Sequence, residues 1–156
     1  MYVTGTVQTD KCPTVYGNVY IAGDLILQGG DPVFTLYGNL YVTGKIQFGN
    51  ASKIYGSLMA EGNITFTGSK SYVDASSPIC IYSKLGDINL TMGNITANGI
   101  VYAPNGTVKF EGSNLTFNGS IVAKKITGMV TGLTVGEPTM VFPFLPQGDG
   151  GVKLVE

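Results

Sequence analysis

Glycine punctuates the first half of this chain, mostly at intervals of five to seven residues, at Gly17, Gly23, Gly29, Gly38, Gly44, Gly49, Gly56, Gly62 and Gly68. Each interval holds a short alternating apolar run: Gly17-Asn18-Val19-Tyr20-Ile21-Ala22 leads into Gly23-Asp24-Leu25-Ile26-Leu27-Gln28. The second and fourth residues after each glycine are apolar, and later copies keep the phase at Leu40/Val42, Ile46/Phe48, Leu58/Ala60, Ile64/Phe66, Ile88/Leu90, Ile95/Ala97, Val108/Phe110 and Ile121/Ala123. Side chains alternate along a strand, so each pair faces one side and the residue between them the other. Three such strands pass before the pattern restarts, from Gly17 to Gly38 and from Gly38 to Gly56, a period of about 18 to 21 residues.

Strands this short, with one glycine at each corner, do not suit a hairpin sheet. They predict an all-β fold, a single-stranded parallel β-helix of about six triangular coils stacked ~4.8 Å apart. Corners need backbone dihedrals that a Cβ disfavours, and the neighbouring Asn, Asp and Ser satisfy corner backbone groups locally. Residues 1–136 form the coil on this reading. Glycine lapses between Gly68 and Gly86, where 69–84 reads as a corner insertion before Ile79-Cys80-Ile81-Tyr82 restores a strand. After Gly136 three prolines fall among Met140, Val141, Phe142, Phe144 and Leu145, so 137–156 is a tail rather than another coil: a cap, or an arm reaching a neighbouring subunit.

The 156 residues include no histidine, tryptophan or arginine, and only 12% are charged, for a net charge of −1. Without histidine there is no Ser-His-Asp triad, Cys-His pair or His-ligated zinc. Asp24, Asp87, Glu61 and Glu111 stand beside corner glycines but on different coils, where a glycosidase needs two carboxyl groups ~5 to 9.5 Å apart. No enzyme, metal or cofactor is expected. The lysines are scattered, leaving no stripe for a phosphate backbone, and no apolar run approaches the ~18 residues that span a bilayer. Neither nucleic-acid binding nor membrane insertion by this segment is expected.

Tyr2-Val3-Thr4-Gly5 repeats Tyr41-Val42-Thr43-Gly44, so residue 2 enters the repeat partway through a coil. Either an upstream segment has been removed or another molecule completes that coil, which makes Tyr2 and Val3 candidate self-association residues beside the apolar tail. Unpaired strand edges at both coil ends favour the same behaviour. Cys12 and Cys80 leave three states open: a disulfide, buried thiols or an intermolecular link. Asn50, Asn63, Asn89, Asn94, Asn105, Asn114 and Asn118 each head an Asn-X-Ser/Thr triplet, a candidate glycosylation set that also arises from corner composition. Tyr16, Tyr37 and Tyr55 each precede a coil-opening glycine, while Tyr20 and Tyr41 share an outward position. Both sets predict aromatic ladders that stabilise the coil or offer a strip for stacking sugars.

Gly99-Ile100-Val101-Tyr102-Ala103-Pro104-Asn105-Gly106-Thr107-Val108, with Gly119-Ser120-Ile121-Val122-Ala123-Lys124 following, resembles the β-helical domain of prokaryotic pilus-assembly-type and surface-anchored proteins. The Gly17–Leu25 stretch is similar to the same proteins and, more loosely, to bactofilins, which polymerise end to end. The resemblance covers roughly residues 15 to 128. It implies a right-handed coil and a non-enzymatic surface or filament role, although the membrane-inserting N-terminal helix of pilus-associated members is not present in this sequence. The expectation is therefore an extracellular or cell-surface structural subunit whose partner is another copy of itself. The alternative is a monomeric adhesin or carbohydrate-binding module, with glycans as partners.

Overall fold

The computed structural model describes residues 1–28, 33–91 and 93–137. Short strands succeed one another, mostly at corner glycines: β1 (Tyr2–Thr4), β2 (Val7–Thr9), β3 (Thr14–Tyr16), β4 (Val19–Ala22), β5 (Leu25–Leu27), β6 (Phe34–Tyr37), β7 (Leu40–Val42), β8 (Ile46–Phe48), β9 (Ser52–Tyr55), β10 (Leu58–Ala60) and β11 (Ile64–Phe66). Longer strands bend around the later corners: β12 (Ser71–Ser83), β13 (Ile88–Leu90), β14 (Ile95–Asn118) and β15 (Ile121–Gly136). Every pairing is parallel and joins a strand to its counterpart one coil away, as in β1 with β4, β2 with β5 and β3 with β6. The fold is a parallel β-solenoid with three ladders, one per face.

It has about seven coils rather than six. The register column Tyr2, Tyr20, Tyr41, Met59, Tyr82, Tyr102, Val122 crosses all of them. The first coil has strands on all three faces, but its corner at Asp10–Pro13 carries no glycine, so a count made on glycines misses it.

The predicted pairs become continuous inward columns. Leu25, Ile46, Ile64, Ile88 and Val108 stack on one face, and Leu27, Phe48, Phe66, Leu90 and Phe110 beside them, all buried. Each such aliphatic or aromatic side chain contributes roughly 1.5–3 kcal/mol on burial. Stacking at this spacing also fixes the corners. Gly38 has φ +149°, and a Cβ there would lie 2.6 Å from the carbonyl carbon of Gly17 in the coil below. Only a residue without a side chain fits that approach.

The glycine-poor stretch is mostly strand. Ser71–Asp74 pair with Ile95–Asn98 and Ile79–Tyr82 with Ile100–Tyr102, so the extra length is confined to Ala75–Pro78 opposite Gly99. A second register shift falls between Ile79 and Ile81, making Cys80 a bulge residue. Buried Ser52 and Ser71 hydrogen-bond to each other at 3.1 Å, and Ser83 donates to the Gly62 carbonyl at 2.9 Å. Among the described residues no buried side-chain polar atom lacks a partner.

Candidate functional site: aromatic columns, corner columns and open ends

Strand alternation sends Tyr2, Tyr20 and Tyr41 outward from the middle of one face, one coil apart. Their rings stack at 5.0 and 5.1 Å with interplanar angles of 8° and 15°. Tyr16, Tyr37 and Tyr55 form a second column at the adjoining corner, at 5.1 and 4.9 Å and 7° and 6°. This column is open to solvent, from 79% exposure at Tyr16 to 39% at Tyr55. Both expected ladders are therefore present in the geometry. The first one also resumes beyond Met59, where Tyr82 and Tyr102 stack at 5.5 Å. The sequence reading missed that pair, although Ile81-Tyr82-Ser83 and Val101-Tyr102-Ala103 occupy the same phase as Leu40-Tyr41-Val42.

Polar groups decorate these columns. The Tyr41 hydroxyl donates to Glu61 Oε1 at 2.8 Å, and Lys84 Nζ lies 3.6 Å from the same oxygen. The Tyr41 bond, then the Lys84 charge, hold the Glu61 carboxyl below its ordinary range; the bond to Glu61 pushes Tyr41 above its own. Tyr72 tilts away from Tyr55 at 56° because its hydroxyl donates to Asp74 Oδ2 at 2.8 Å, and that bond raises the Tyr72 pKa.

The residues after the corner glycines tie coil to coil. Asn18 Oδ1 accepts the Asn39 N–H at 2.9 Å, and Asn39 Oδ1 the Ser57 N–H at 2.8 Å. At the next corner Asp24 Oδ1 accepts the Lys45 N–H, Asn63 Oδ1 the Asp87 N–H and Asp87 Oδ1 the Thr107 N–H, at 2.7–2.9 Å. Asp24 and Asp87 thus serve as corner acceptors. Residues 24, 45, 63 and 87 occupy successive coils, which puts the two carboxylates ~14 Å apart at the strand spacing. Glu111 pairs with Lys109 at 2.8 Å.

The asparagines of the Asn-X-Ser/Thr triplets are spread around the coil: Asn63, Asn94, Asn105 and Asn114 exposed, and Asn50, Asn89 and Asn118 half-buried. Several already use their side chains. Asn114 Nδ2 donates to Asn94 Oδ1 at 3.3 Å, Asn118 Nδ2 to Asn98 Oδ1 at 2.8 Å and Asn105 Nδ2 to the Lys84 carbonyl at 2.8 Å. Asn94 and Asn114 have φ of 60° and 55°, a left-handed conformation that asparagine tolerates better than most residues. Both cysteines are free and buried. Cys80 Sγ donates to the Ile100 carbonyl at 3.4 Å, and burial pushes its thiol pKa up to about 12.

At the two ends the inward columns open. Val3, Val7 and Val15 are half-buried, whereas their counterparts Ile21, Leu25 and Leu36 are buried. Tyr2, beside Val3, is exposed and stacked on Tyr20. In the last coil Ile126, Leu133 and Val135 are 51%, 42% and 45% exposed, over the buried Val108, Leu115 and Phe117. The other expected self-association residues, Met140, Val141, Phe142, Phe144 and Leu145, lie outside the described residues. No helix among the described residues is long and apolar enough to cross a membrane.

Three parallel ladders and columns of like side chains, whose first and last members are the more exposed among the described residues, define a β-solenoid of repeated coils. The chain belongs to a family described as a domain of unknown function (DUF7305), whose model matches residues 2–135. No curated protein and no solved structure matches it.

Proposed function

We propose that this protein is a non-enzymatic structural subunit of an extracellular fibre or surface layer, and that copies stack head to tail through the ends of the coil. The observation that carries this reading is the pair of incomplete ends. Val7 begins the inward column that finishes at Ile126, Val15 begins one that runs through Leu36, Ile54 and Val73 to Ala97, and Phe117 leads on to Val135, so a second copy set on the last coil continues columns already running through the first. Among the described residues the ladders end at the same two places, where their outer edges offer backbone donors and acceptors. The resemblance to pilus-associated, surface-anchored and bactofilin β-helices supports the same reading, and the seven Asn-X-Ser/Thr triplets support a location outside the cell.

Light scattering and negative-stain imaging of the full chain test it. Rods longer than one subunit, growing with concentration, are expected, and Val7→Asp should abolish them while leaving the β spectrum intact. A monomer at every concentration sinks the proposal.

A second reading rests on the Tyr16–Tyr37–Tyr55 column, whose near-parallel, solvent-facing rings suit stacking against sugars. A glycan array, with Tyr37→Ala as control, tests it: binding that survives the substitution rules the column out.

A further inference from the structure

Every one of the nine tyrosines stands beside another tyrosine ring. In the corner column the centroids of Tyr16 and Tyr37 are 5.1 Å apart and those of Tyr37 and Tyr55 4.9 Å, with the planes inclined by 7° and 6°. Strands in register carry these rings, Tyr16 opposite Tyr37 and Tyr37 opposite Tyr55, so like atoms of adjacent rings lie about one coil apart. All three are open to solvent, and the hydroxyl with its two ortho carbons is the end of each ring farthest from the backbone. The Tyr41 and Tyr72 hydroxyls are held by Glu61 and Asp74, whereas those of Tyr16, Tyr37 and Tyr55 form no hydrogen bond among the described residues.

We propose that this column is a site of oxidative cross-linking, at which tyrosines of successive coils are joined as dityrosine, Tyr16 to Tyr37 first. The oxidant is hydrogen peroxide acting through a peroxidase. One peroxide takes an electron and a proton from each of two phenols and leaves as two waters. The unpaired electron of each phenoxyl is shared among the oxygen and the ortho and para carbons. The para carbon already bears the side chain, so two ortho carbons form the new bond, and each passes its hydrogen to its own oxygen as the ring regains aromaticity. Three observations select this site. First, the chain has no tryptophan and the Cys12 and Cys80 thiols are buried, which leaves exposed tyrosine as the readiest one-electron donor. Second, the fold already holds the partner ring alongside, so coupling within the chain does not wait for two molecules to meet. Third, Tyr16 and Tyr37 are exposed enough to meet the oxidant and to swing together, whereas Tyr20, in the middle of the other column, is half-buried. The bond ties the first coil to the second, where Val3, Val7 and Val15 are only half-buried. Like a disulfide it constrains the unfolded chain, and it secures a coil that would otherwise fray early. The proposal stands whether or not copies stack.

Treating the dilute full chain with a peroxidase and hydrogen peroxide tests it, read by the blue fluorescence of dityrosine and by mass. The expected product is a monomer that has lost two hydrogens for each bond, with a yield per chain unchanged on dilution. Tyr37→Phe keeps the ring and its stacking but removes the phenol common to both pairs, and should cut that yield severalfold. Tyr20→Phe, at the middle of the other column, should change it little. Amide exchange in β3 should slow severalfold in the oxidised natural chain and not in oxidised Tyr37→Phe. Dityrosine that forms only between chains, or a yield that Tyr37→Phe leaves intact, overturns the proposal. So does oxidation of the exposed tyrosines with no coupling at all.

Discussion

Replacing Gly38 by alanine asks for two things the coil does not offer, a left-handed dihedral and space above Gly17. The dihedral alone costs roughly 1–3 kcal/mol. Gly5→Ala, at φ +104° with nothing within 4 Å of the added carbon, carries the dihedral cost without the collision. Urea unfolding should therefore show Gly38→Ala to be clearly the more destabilising of the two. Glu61 and Tyr41 give a pH signature. The Glu61 carboxyl titrates below its ordinary value in the fold, so its contribution holds above that value and is lost as pH falls through the folded pKa; Tyr41 titrates high, so its contribution holds below its ordinary value near 10 and is lost as pH rises through the folded one. Tyr41→Phe should move the Glu61 titration, followed by carboxyl NMR shifts, up towards the ordinary 4.5. At Cys80, burial and a thiol pKa of about 12 predict no alkylation at neutral pH until the coil unfolds. Labelling that keeps pace with a model thiol would contradict that burial.

Among the elements, each tyrosine column behaves as a line of nearest neighbours. Tyr37 stacks on two rings and Tyr16 on one, and an aromatic pair is worth roughly 0.5–1.5 kcal/mol beyond burial. Tyr37→Ala should therefore cost about twice the stacking energy of Tyr16→Ala, and a double-mutant cycle on Tyr16 and Tyr37 should show coupling in that range. These columns were legible in the sequence because a two-residue side-chain period and a fixed coil length put equivalent letters over one another. The inward pairs from Leu40/Val42 to Val108/Phe110 were legible for the same reason. The bulge at Cys80 was not, because it depends on the neighbouring coil: a carbon added at Gly99 would lie 3.2 Å from Cys80 Cβ, and nothing local in Ile79-Cys80-Ile81 reports that. Gly128 was missed for another reason. Most other glycines among the described residues mark a corner, and Gly128, the partner of inward-facing Phe110, looks no different in sequence. The first coil escaped the count because Asp10–Pro13 turns without glycine, and the backbone links from Asn18 or Asp24 to the coil above follow only once the register is known.

For the molecule as a whole, stability is close to a sum over coils and the contacts between adjacent ones. Leu58→Ala, in a middle coil with no exposure, should cost roughly 2–5 kcal/mol, and Val7→Ala, at a half-open end, distinctly less. Hydrogen exchange should show the same gradient, with amides of β7 and β10 slowest and those of β1 and β15 fastest.

The orientation of the ladders carries a mechanical consequence. Strands run across the long axis, so their hydrogen bonds point along it. Tension delivered through whole coil faces loads three ladders at once, whereas the same pull delivered at a chain terminus peels one turn at a time. A thread of such units would resist stretching between its joints and fail first at the joints themselves.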